Sequence, residues 1–157
     1  MSKFHFLCTH HHSWLTQNPH AVAGTWRQSY NRSQDLADEN LYIEAANHAG
    51  AAFEAAAIEL AEHATVTTSA IQRYTDSSVL LVHLLQTLTE HRIAEAVLNS
   101  AIDRMESLLL AGTQFNNVLS SCKRLLHLRV GQAGTTSIHE TADNWQAITA
   151  EKQVCIN

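Results

Sequence analysis

Proline is almost missing from this 157-residue chain: Pro19 stands alone, and there are only five glycines. A β-sandwich needs many tight turns, and turns draw on both residue types, so that class is excluded. Cysteine is scarce as well. Cys8, Cys122 and Cys155 are odd in number, widely spaced and without a C-x-x-C pair. That excludes a disulfide framework and fits a reducing compartment. No uninterrupted apolar run approaches the roughly 18 residues that cross a bilayer. The opening residues, Met1-Ser-Lys-Phe-His-Phe-Leu-Cys, hold no long apolar stretch of the signal-peptide kind. The expectation is a cytoplasmic protein with no membrane partner.

Positive charge is also short. Ten Lys and Arg stand against fifteen Asp and Glu, a net charge of −5 with histidine neutral. Nucleic-acid binders show a basic face or a high isoelectric point. The one local basic group, Lys123, Arg124 and Arg129 with His127 between, forms no broad helical stripe. Nucleic acid is therefore not an expected partner. Catalytic signatures are missing too: no G-x-S-x-G, no phosphate-binding glycine loop, no dinucleotide fingerprint. A helical di-iron site needs Glu-x-x-His from two helices, and the chain has no such motif. Cys122 falls on an apolar helical stripe, the setting of an inert buried thiol. No catalytic residue and no cofactor are expected, and nothing recommends an enzyme.

What the chain does have is apolar residues at helical spacing, within a composition that is 45% hydrophobic and 16% charged. Asn18-Pro19 suits a helix start, since Asn caps and Pro is preset for the first turn. Val22, Trp26 and Tyr30 then recur at i+4, predicting a helix over 19–37. Leu41, Ala45, Ala49, Ala52, Ala56 and Leu60 share one face of a second helix, over 40–63. Its alanines imply close approach of a neighbour, because interaxial distance follows side-chain size. A Thr or Ser cap starts a third helix over 68–89, with Ile71, Tyr74, Ser78, Leu81, Leu85 and Leu88 inward. Asp76-Ser77-Ser78 leaves a break within it open. A fourth helix, over 92–110, turns Ala94, Val97, Leu98, Ala101, Met105 and Leu108 inward and ends at Gly112. A fifth, over 113–130, uses Phe115, Val118, Leu119, Cys122, Leu125 and Leu126, and is closed by Gly131 and Gly134. Thr135-Thr136-Ser137 starts a last, weaker one carrying Ile138, Trp145 and Ile148. Residues 1–17 read as an irregular His-rich segment, and 18–152 as a single helical domain. Short connections force successive helices antiparallel.

Ala49, Phe53 and Ala56 make a small–large–small face, and Ala94, Leu98 and Ala101 repeat it 45 positions later (94 against 49). Leu36-Ala37 and Leu81-Val82 stand at the same offset. This pattern, over roughly residues 30–105, resembles the tetratricopeptide repeat (TPR). There a large then a small residue in one helix meets a small–aromatic–small face in the next. The offset exceeds the roughly 34 residues of that repeat and sits nearer the 40–47 of HEAT-type repeats. The fold class is thus all-α, built of antiparallel hairpins, either a TPR-like array or a five-to-six-helix bundle. The resemblance implies a scaffold that holds another protein, as adaptor, chaperone or regulator.

The residues point the same way. The helix over 68–89 carries Val79, Leu80 and Leu84 besides its main stripe, and a helix apolar on more than one side must be covered twice. Either a central position or an interface does that. The expected partner is another protein or the chain's own copy, as in a homodimer. Trp26, Tyr30, Tyr42 and Tyr74 are the candidate contacts, because aromatics are enriched at interface hot spots; core packing is the competing role for Trp26 and Tyr74.

The eleven histidines offer a second reading. Cys8, His10, His11 and His12 are good zinc, nickel or copper ligands, which would make the chain a metal or ligand sensor. No second Cys/His pair stands at zinc-site spacing, and a polar N-terminal segment explains the run equally. Glu44/His48, Glu59/His63 and His91/Glu95 are i,i+4 pairs expected to form local surface contacts.

Overall fold

The computed structural model describes residues 5–62 and 66–132. Among them are six helices and no strand: α1 (Thr9–Gln17), α2 (Pro19–Asp38), α3 (Tyr42–Glu62), α4 (Thr68–Thr87), α5 (His91–Leu110) and α6 (Phe115–Gln132). No described helix is long and apolar enough to cross a membrane. Gly134, the helix expected after it, His63 and Cys155 lie outside the described residues.

Residues 9–17 are helical rather than irregular. A nine-residue helix is marginal in isolation; α1 is held by the burial of Leu15 against Leu7, Val22, Ala51, Ala55 and Ile58. Pro19 opens α2 as expected, but Asn18 does not cap it. Its Nδ2 instead donates to the Trp14 carbonyl at 2.8 Å, closing α1. At α4 the expected cap is present: Thr67 Oγ1 accepts from the Ala70 N–H at 3.2 Å.

Asp76-Ser77-Ser78 breaks nothing, and α4 runs through it. Thr75, Ser77 and Ser78 each donate a hydroxyl to the carbonyl one turn back, at Ile71, Arg73 and Tyr74, over 2.7–2.8 Å. Their polarity is thus satisfied inside the helix, so all three are buried without leaving the core.

Three connections share one design. In each, a residue with left-handed backbone ends a helix: Asn40 (φ 61°), Thr89 (φ 61°) and Gly112 (φ 72°). The next N–H reaches back five residues, Leu41 to Leu36, Glu90 to Leu85 and Thr113 to Leu108, at 2.8–3.2 Å. This is the Schellman closure, which satisfies carbonyls that a helix end leaves open. The two full hairpins therefore superpose at one offset. Helices α2 and α4 begin at 19 and 68, α3 and α5 at 42 and 91, and the turns fall at 40 and 89, always 49 residues apart.

Sequential helices pack on each other from α2 to α6; α6 also touches α4, and α1 lies on α2 and α3. The main core runs from Leu36 to Leu125 through all five long helices. Helix α4 is the central one, against α3, α5 and α6. That position covers Leu84 fully and Val79 and Leu80 in part, so the surplus apolar surface of this helix is taken up within the chain. The predicted inward residues of α5 are all buried. Leu41, Phe115 and Leu126 are not: they sit near helix ends or on the solvent side, with Phe115 54% and Leu126 45% exposed. Leu110, at the end of α5, is 90% exposed.

Candidate protein-binding face

Helices α2, α4 and α6 contribute to one face, and it holds two of the four aromatic candidates. Trp26 and Tyr30 are one helical turn apart on α2, so their rings share a side. They stack with centroids 4.9 Å apart and planes at 22°. Trp26 Nε1 donates to Ser77 Oγ of α4 at 2.6 Å, which locks the indole edge to the neighbouring helix. The Arg73 guanidinium lies over the same indole, 5.8 Å from its centroid, within reach of a cation–π attraction. Both aromatic residues are half-buried, and Trp26 also packs against both apolar clusters.

Charge frames the pair. Arg73 is gripped by Glu59 of α3 through two hydrogen bonds, Nε to Oε2 at 2.8 Å and Nη2 to Oε1. The bond to Glu59 raises the Arg73 pKa further above its ordinary value. On the other side, Arg124 of α6 meets Asp76 of α4 at 2.8 Å. That pair is exposed enough to be worth only a fraction of a kcal/mol, about 0.2–1. Tyr30 lies beside it. Burial pushes the Tyr30 phenol up, the Asp76 carboxylate adds to the rise, and Arg124 opposes it. The hydroxyl stays protonated at neutral pH, ready to donate or accept. The face thus offers a flat aromatic platform between two guanidinium groups and a carboxylate.

The other two aromatics are elsewhere. Tyr74 is 3% exposed and stacks on Phe53 at 5.2 Å, inside the core. Burial pushes its phenol up to about 12. It cannot touch a partner, so the core role holds for it. Tyr42 begins α3, half-buried, with its hydroxyl donating to Asn40 Oδ1 at 2.8 Å; it braces the turn, away from Trp26 and Tyr30. Arg73, Asp76 and Arg124 went unread in the sequence as parts of a face. Their ion-pair partners lie 14 to 48 residues away, and no local spacing marks them.

Of the possible metal ligands, Cys8 and His11 come together, Sγ to Nδ1 at 3.9 Å, one turn apart at the start of α1. His10 and His12 are exposed. Among the described residues no three His, Cys, Asp or Glu side chains are grouped to hold a metal ion.

Among the described residues the Glu44/His48 and His91/Glu95 pairs do not form, and His63 of the third pair lies outside them. Glu59 turns to Arg73. His48 places Nδ1 in the α2–α3 packing, buried and without a hydrogen-bond partner. Burial, then the charge of Arg32, lowers its pKa from 6.5. The unfolded chain therefore takes up the proton first as pH falls. The stability this neutral imidazole provides is present above 6.5 and is lost as pH drops toward the folded value. Melting temperature is expected to fall as the pH drops below about 6.5, and by less in His48→Gln. Equal slopes for the two proteins would contradict this.

No protein-family model matches the chain, and no curated protein or solved structure matches it.

Proposed function

We propose that this chain is a cytoplasmic protein-interaction module without catalysis of its own, acting as adaptor, chaperone or regulator. In this reading its hairpins form a TPR-like array, and the first helices of successive hairpins, α2, α4 and α6, line the docking face. The observation that carries it is the stacked Trp26–Tyr30 pair, half-buried and framed by Arg73, Asp76 and Arg124. Tyrosine, tryptophan and arginine are the residues that dominate interface energies. Here they converge from three helices onto one rigid platform, so little ordering is needed on binding. The partner is another protein or a second copy of the chain.

Parallel capture on immobilised wild type and Tyr30→Ala tests this, with light scattering for self-association. Tyr30→Ala is expected to weaken the captured complex, or the dimer, by about 30-fold, the scale of a hot-spot residue. Circular dichroism checks that the variant is folded. A monomer that captures nothing, or a complex indifferent to both Tyr30→Ala and Arg124→Ala, would overturn the proposal.

A further inference from the structure

On the opposite side of α2 a second feature stands apart from the aromatic face. A step of two residues turns a helix by about 200°, so Gln28 and Arg32 point away from Trp26 and Tyr30. With Ser29 of α2 and His48 of α3 they line a cleft of about 270 Å³. That is near the lower end of the roughly 300–1,000 Å³ usual for ligand pockets, and suits an ion or a small acid rather than a large cofactor.

The lining is unusual in its unmet hydrogen bonds. Ser29 has no exposed surface, and its Oγ has no partner. His48 Nδ1 is equally enclosed and unpartnered. Buried polar atoms are normally paired, and each exception asks for an explanation. Gln28 and Arg32 are exposed at the cleft and open to water, and among the described residues neither is tied up in a hydrogen bond or ion pair within the protein. All four side chains can donate, and among the described residues no carboxylate lines the cleft. One fixed positive charge and three further donors select against a cation and for an oxygen anion.

We propose that the α2–α3 cleft binds a small oxyanion, a carboxylate or a phosphate group, with Arg32 supplying the charge and Ser29, His48 and Gln28 hydrogen bonds. Guanidinium groups bind both anions through paired N–H bonds. Ser29 Oγ and His48 Nδ1, both closed to solvent, must turn into the cleft to reach the anion, and binding then gives them the partners that packing denies them. The site needs no contribution from the aromatic face, so either can fail without the other.

Nuclear magnetic resonance on the full chain tests it. Inorganic phosphate and acetate are titrated separately, at constant pH and ionic strength, while the His48 ring and the Gln28 amide are followed. Saturable shifts at both, absent at the exposed His91, are expected with at least one anion. Saturation by phosphate alone names a phosphoryl ligand, and saturation by acetate names a carboxylate. Arg32→Gln, a surface change that leaves the fold intact, is expected to weaken binding about tenfold or more. Non-saturating shifts that match those of His91 with both anions, or an affinity unchanged in Arg32→Gln, would overturn the site.

Discussion

Ala49→Leu is expected to destabilise the protein by about 3 kcal/mol, at the upper end of what overpacking costs. In a chain of this length that lowers the melting temperature by about 9 °C. Ala45, Ala46, Ala49, Ala51, Ala52, Ala55 and Ala56 of α3 all have no exposed surface, so the helix is enclosed on nearly every side by its own short side chains. The opposing surface of α2 is equally short. Ser29 and Ser33, one turn apart, are fully buried, and Ser33 Oγ donates to the Ala45 carbonyl at 2.7 Å. A side-chain hydroxyl reaches a neighbouring helix's backbone only when the axes are close. Three added carbons at position 49 crowd this contact, and pushing the helices apart strains the Ser33 bond as well. Ala61→Leu, at an exposed position of the same helix, is the control and is expected within about 0.5 kcal/mol of wild type. Thermal melts of the two variants decide the matter; equal stability would mean that α2 and α3 are not in close contact.

The alanine stripe was legible because a helical period and small residues together predict close packing. The turn register was not. Apolar patterning suggests an offset of 45 between the hairpins, while the turns stand 49 apart. The two differ by four residues, about one helical turn, so either shift lays an apolar face on an apolar face. Only the left-handed residues and their reach-back hydrogen bonds separate the two, and Asn40 and Thr89 carry no shared signature. Helix α4 shows a similar ambiguity. Its apolar excess fits both a central helix and an interface, and α6 makes it central. The proposed docking face therefore rests on the Trp26–Tyr30 pair rather than on α4. The stacked pair could be read from its i+4 spacing; its charged frame could not, because Arg73, Asp76 and Arg124 reach it from other helices.

Gly50→Leu is expected to detach the segment before α1, at a cost of about 2 kcal/mol. Gly50 sits in mid-α3, where glycine is about 1 kcal/mol worse than alanine. Propensity alone therefore favours replacement. The Phe6 ring decides otherwise: a Cβ on Gly50 would overlap its Cγ and both Cδ atoms. One turn on, Glu54 faces the same segment, accepting the Phe6 N–H on Oε1 and the Leu7 N–H on Oε2, each at 2.8 Å. Glycine and glutamate at i and i+4 thus make a seat, one residue for the ring and one for the backbone. Burial of Phe6 and Leu7 contributes about 1.5–3 kcal/mol each, and the bonds to a charged acceptor add to it. Regained helix propensity and the freed chain's entropy, about 1–2 kcal/mol per residue, offset most of that. Glu54→Ala removes the other half of the seat and is expected to release the same residues. Native-state hydrogen exchange should show the Leu7 amide losing protection in both variants while the α4 and α5 amides keep theirs. If Leu7 stays protected in Gly50→Leu, the ring does not depend on the glycine, and the seat is not what anchors the segment.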